Sequence, residues 1–222
     1  MSEVRPTGRP LIIELAGLPG AGKTSLTERV SLPHRGRRDI GLLNLPLRRE
    51  TWPVARAATM LAVSIRPWKP GYLLRAIKLV LALRCYGPVD ADLVIMDQGL
   101  VQKLWSFLIE AQSYPAQRLE DLVDALSPFA ADHLVWIGVP HTLAAQRIAG
   151  RVGGNSRFDG QDAETITRRL ENLEGVYMRL IGMFRSKSSM SVVNLDGTAD
   201  LKDNASLIDE LASRHSNQAK RS

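Results

Sequence analysis

Cysteine occurs once, at Cys85, which excludes an intramolecular disulfide and fits a reducing compartment. Long apolar runs are missing as well. None approaches the roughly 18 uninterrupted residues that a spanning helix needs. The polar start MSEVRPTGRP and the short run LIIELAG, interrupted by Glu14, read as neither a signal peptide nor a membrane anchor. A cytoplasmic protein is expected. Acids are scarce in one region: between positions 35 and 86 only Asp39 and Glu50 stand against eleven bases, a surplus of nine that exceeds the +6 of the whole 222-residue chain. That segment reads as a solvated basic face, or as a site for an anionic substrate, lipid or nucleic acid.

What is present is ordinary for one globular domain, with 45% hydrophobic and 23% charged residues. Short apolar runs at 11–17, 91–97, 133–139 and 190–196 read as strands, with a further candidate, IGLLNLP, at 40–46. Helical stretches fill the gaps, at 22–30, 53–64, 71–85, 100–112, 116–127, 142–150 and 162–184. The last carries apolar residues at Ile166, Leu170, Leu173, Tyr177, Leu180 and Phe184, a core-facing stripe, with Asp162 placed to cap it. Strands alternating with helices imply a parallel sheet covered on both faces, with ligands beyond the carboxyl ends of the strands. One domain is expected over 11–213, after a flexible N-terminus at 1–10. The polar basic tail at 214–222 is expected to be disordered.

At that strand edge lies GLPGAGKTS. Gly17-Leu18-Pro19-Gly20-Ala21-Gly22-Lys23-Thr24 satisfies G-x-x-x-x-G-K-[ST] at every fixed position, with Ser25 following. Glycines let successive backbone N–H groups turn inward around phosphate oxygens, and the following helix aims its positive end at the same place. Lys23 supplies a full charge for the β- and γ-phosphates of ATP, and the Thr24 hydroxyl is placed to hold Mg²⁺. The run Leu93-Val94-Ile95-Met96 ends in Asp97, a second candidate ligand for the metal. A GTPase is disfavoured: Asp97 is followed by Gln98-Gly99-Leu100 instead of the D-x-x-G switch, and no N-K-x-D occurs.

Four stretches together give the chain a family likeness: GLPGAGKTS, DLVIMDQG, TLAAQRIAGRVGGNSRFD and SVVNLDGT, in that order. It resembles the P-loop nucleoside and nucleotide kinases, the group with thymidylate and deoxynucleoside kinases. The resemblance implies a three-layer α/β P-loop NTPase fold with a five-stranded parallel sheet, helices on both faces and a short Arg-rich lid at about 147–160. It also implies Mg-ATP-dependent transfer of the γ-phosphate to a small acceptor. Arg147, Arg151 and Arg157 are the candidate lid cations, Arg147 and Arg151 being four apart on one helical face. Val152-Gly-Gly-Asn155 offers a hinge. Asp97 or Glu50 would serve as general base. Gln98 stands where these kinases carry Arg, so the acceptor stays open among nucleosides, nucleotides and sugars.

In helix 71–85 Arg75 and Arg84 fall on opposite sides, so it is not cleanly amphipathic, and it is otherwise apolar nearly all round. It reads as buried in the core or in a homodimer, with peripheral membrane contact as the second reading. Two functions compete with a kinase. One is a nucleotide-gated regulatory protein that binds ATP without transferring phosphate to a metabolite. The other is a basic adaptor with a vestigial loop, for which nucleic acid is the less favoured partner.

Overall fold

Strand β1 (Leu11–Ala16) is buried along its whole length, as a strand covered on both faces must be. In the computed structural model, which describes residues 10–33, 35–36, 49–86, 91–150, 158 and 160–219, it runs parallel to β3 (Leu93–Met96) on one side and β4 (His133–Gly138) on the other. Strand β5 (Ser191–Asp196) pairs with β4 over six residues, and the two-residue β2 (Arg35–Gly36) lies along β3. The order is β2-β3-β1-β4-β5.

Among the described residues the sheet orders five parallel strands, four of them four residues or longer and β2 only a two-residue pairing at its edge. The strand expected at 40–46 lies outside the described residues.

Side chains alternate between two cores. Ile13, Leu15, Ile95 and Val135 face a small layer made by α1 (Lys23–Thr27) and α8 (Leu201–Ala219). Ile12, Ala16, Val94 and Leu134 face a larger one. It comprises α2 (Trp52–Ser64), α3 (Pro70–Ala82), α4 (Leu100–Leu108), α5 (Ala116–Leu126), α6 (His141–Ala149) and α7 (Ala163–Lys187). The three layers match the expected class.

The stripe on α7 is packing: Ile166, Leu170, Tyr177, Leu180 and Phe184 are buried. Asp162 caps the helix, accepting from the Thr165 N–H at 2.9 Å and the Thr165 hydroxyl at 2.7 Å; such caps contribute about 1 kcal/mol.

Three expectations need correction. Helix α1 stops at Thr27 and does not reach residue 30. Helix α8 runs to Ala219, into the tail expected to be disordered, and its buried stripe Ala205, Ile208 and Ala212 packs on the sheet. Helix α3 is amphipathic. It ends at Ala82, so Arg84 falls beyond it in a 3₁₀ turn, and Arg75 reaches Glu110 at 2.7 Å. It buries Tyr72, Ala76 and Leu79 and leaves Leu74 and Ile77 exposed.

Candidate functional site

The loop from Gly17 to Ser25 leaves the carboxyl end of β1. Its form depends on two glycines in the left-handed region, Gly20 at φ 86° and Gly22 at φ 91°. A Cβ on Gly20 would sit 2.7 Å from the Ala144 carbonyl, so α6 packs directly onto the loop. At Gly22 the space is open, as a phosphate cradle requires. Leu18 and Ala21 are buried anchors and Pro19 is half-buried; the Ala21 N–H donates to the Leu18 carbonyl at 3.1 Å. Gly17 meets β4, where a Cβ would approach the Ile137 carbonyl to 2.8 Å.

Lys23 folds back across this loop. Its Nζ donates to the Gly17 carbonyl at 2.7 Å and the Leu18 carbonyl at 3.1 Å. The cation is therefore held within the loop by two neutral acceptors, which an anion would outcompete. Thr24 and Ser25 are exposed in the first turn of α1.

Asp97 follows β3 at the same sheet edge. It is half-buried and makes no hydrogen bond or ion pair with a described residue. One hydroxyl and one carboxylate are what Mg²⁺ takes from a protein when phosphates and water complete its shell. Thr24 and Asp97 fit that donor set. Among the described residues no cluster of three His, Cys, Asp or Glu could build an all-protein metal cage. Glu50 is exposed on a 3₁₀ turn at Arg49–Thr51, ahead of α2.

Arg147, on α6, is brought onto the loop. Its guanidinium donates to the Gly20 carbonyl at 3.2 Å and the Gly197 carbonyl at 3.4 Å. It thereby ties the phosphate loop to the β5–α8 connection across a cavity of about 320 Å³. Gly22, Ser25, Gly197, Ala199 and Asn204 line that cavity with it. The connection is fixed from within: buried Asn204 donates to the Asp196 carbonyl at 2.7 Å, and the Asp196 carboxylate accepts from the Thr198 N–H and hydroxyl. Those two bonds hold the Asp196 carboxyl below its ordinary range. Helix α6 ends at Ala149; Arg151, Arg157 and the hinge at 152–155 lie outside the described residues.

Beneath the loop is a polar network that sequence reasoning did not assemble. Glu14 is fully buried in β1, and its Oε1 accepts from the Gln102 N–H at 3.1 Å, at the start of α4. Its Oε2 has no hydrogen-bond partner, and burial pushes the carboxyl up to about 7, against the opposing backbone bonds from Gln102, Val101 and Leu100. The Gln102 side chain accepts from the Tyr177 hydroxyl at 3.0 Å, and the Gly17 N–H dipole acts on that hydroxyl. Burial drives the Tyr177 pKa well upward, so it stays a neutral donor. Helices α4 and α7 are thus joined by a hydrogen bond beneath the first residue of the 17–25 loop. The one sequence signal was an acid inside an otherwise apolar strand.

The fold has a counterpart among solved structures. Deoxyadenosine kinase from M. mycoides, solved with bound dATP, superposes with a TM-score of 0.51 over 91% of this chain and 99% of that one, at 13% identity. The chain therefore has the fold of the P-loop nucleoside kinases. No protein-family model matches it, and no curated protein does.

Proposed function

We propose that this chain is a Mg-ATP-dependent phosphotransferase acting on a small-molecule acceptor of the nucleoside, nucleotide or sugar class. The observation that carries the reading is the convergence of two cations on one loop: Lys23 Nζ on the Gly17 and Leu18 carbonyls, and the Arg147 guanidinium on that of Gly20. Phosphoryl transfer is catalysed mainly by positioning and by neutralising charge on the transferred group, and this site offers both. Kinship of fold with a nucleoside kinase supports the same class.

With the triphosphate bound, Lys23 exchanges its two carbonyls for phosphate oxygens, and the loop's N–H groups take the remainder. The cavity beside the loop, lined by Gly22, Ser25 and Asn204, suits the donor nucleotide. Thr24 and Asp97 would hold Mg²⁺, which would offset the charge of the phosphates. The acceptor oxygen forms its bond to the γ-phosphorus as the bond to the bridging oxygen breaks. ADP departs with that electron pair, and the acceptor's proton passes to a carboxylate, Asp97 or Glu50. Arg147, with Arg151 and Arg157 of the lid, stabilises the equatorial oxygens.

The test is ATP consumption screened against nucleosides, nucleotides and sugars, followed by Lys23→Ala with the acceptor so found. Loss of turnover in that variant supports the reading. Undiminished turnover, or tight ATP binding with no acceptor phosphorylated, overturns it; the second result favours a nucleotide-gated regulator.

A further inference from the structure

Apolar side chains normally leave the solvent face of a helix, and α2 and α3 break that rule together. Among the described residues eight large apolar side chains are exposed, and six of them lie between positions 52 and 77. Trp52 is 73% exposed, Leu74 60%, Ile77 55% and Trp68 45%; Met60 and Val63 accompany them. The spacing makes this a surface. Trp52, Met60 and Val63 share one face of α2, and Leu74 and Ile77 share the solvent face of α3, opposite the buried Tyr72, Ala76 and Leu79. The two helices pack side by side and are joined by the short connection that carries Trp68.

The same hairpin is strongly basic. Residues 49–86 hold seven bases and one acid, a surplus of six equal to the formal charge of the entire chain, so the remainder is neutral. Arg75 is engaged by Glu110. Arg56, Lys69 and Lys78 are exposed and make no ion pair among the described residues. Cations therefore stand interleaved with tryptophans and aliphatics on one surface.

We propose that the α2–α3 face docks on an anionic lipid bilayer. Charge selects this occupant over a second copy of the chain, since two such faces would oppose their own surpluses. The aliphatic side chains select lipid over nucleic acid, which offers Leu74, Ile77 and Met60 no apolar phase to enter. Basic residues around tryptophan and aliphatics are what an interfacial helix needs, with tryptophan at headgroup depth. The contact is peripheral: no helix among the described residues is long and apolar enough to cross a membrane. The proposal is independent of the phosphotransferase reading.

The full chain is sedimented with vesicles of phosphatidylcholine carrying about 30% phosphatidylglycerol, and with pure phosphatidylcholine vesicles, while tryptophan emission is followed. Trp105 and Trp136 are buried, so an emission change reports Trp52 and Trp68. The expected result is partitioning at least about tenfold stronger onto the anionic vesicles, with a blue shift, weakened by added salt. Two double variants, Trp52→Ser with Trp68→Ser and Arg56→Glu with Lys78→Glu, lose about tenfold or more of that binding while melting like the parent. Absence of binding, equal binding to both vesicles, or parent-like binding by either variant overturns the proposal. So does a dimer in sedimentation that Trp52→Ser dissociates, which would give the face to a second copy, or duplex DNA displacing the vesicles.

Discussion

Gly99 has no side chain where the Glu14 carboxyl lies: a Cβ built there would run into Glu14 Cδ, Cγ and Oε2. The glycine lets the start of α4 close over a buried acid in the central strand, which makes the pair a test of the packing. Gly99→Ala should cost about 2 kcal/mol by overpacking. Glu14→Ala empties the space, so the double variant should be less destabilised than the two single losses added together. Urea unfolding of the four proteins measures the coupling; strict additivity would show that the collision is not the cause.

Glu14 also sets a pH dependence. Its carboxyl is raised from 4.5 to about 7 in the folded chain by burial, so between those values the native state binds more protons than the unfolded one. Stability then falls as pH rises: the contribution is complete below about 4.5 and lost through about 7, on the order of 3 kcal/mol. Glu14→Gln keeps the shape without the charge. The variant should show a flatter profile across this window and exceed the parent at pH 8, as read from thermal unfolding. A parent curve that rises from pH 5 to 8 would refute the assignment.

How much of this was legible beforehand depends on whether a feature is local. The loop 17–25 declares itself because each position answers a local demand, and the strands ending at Ala16, Met96 and Gly138 follow from short, mostly apolar runs. Arg147 was identified as a cation near the site, but its anchorage on Gly20 and Gly197 depends on a crossing that no spacing predicts. Tyr177 fitted an apolar stripe so well that its hydroxyl, aimed at Gly17 and Gln102, went unread. The pairing at Arg35–Gly36 went unread because the pair has no burial signature, while the strand expected at 40–46 lies outside the described residues. Helix α3 did not look amphipathic because Arg84, beyond its end, was counted within it, opposite Arg75.

Tyr177→Phe isolates the network under the loop. The ring, packed 5.0 Å from Trp136 and 5.3 Å from Trp105, is retained, while the hydroxyl between Gln102 and Gly17 is lost. Leaving Gln102 Oε1 without its donor should cost about 1–3 kcal/mol. If the network positions the loop, nucleotide binding weakens at a temperature where both proteins are fully folded. Binding unchanged with stability lowered would confine Tyr177 to the core.

Arg147 should separate affinity from stability in the opposite sense. Its side chain is exposed and its two partners are loop carbonyls, so truncation leaves no buried charge and removes little packing. Arg147→Ala should therefore melt within a few degrees of the parent, a loss of about 0.5 kcal/mol or less. Its ATP affinity should fall about tenfold or more, because a charge-assisted bond at the phosphate loop is gone. Arg147→Lys restores the charge but not the planar fork that spans Gly20 and Gly197, so it should recover only part of the loss. Calorimetric titration with ATP and a thermal melt of the three proteins decide it. Full affinity in Arg147→Ala would remove this residue from the donor site.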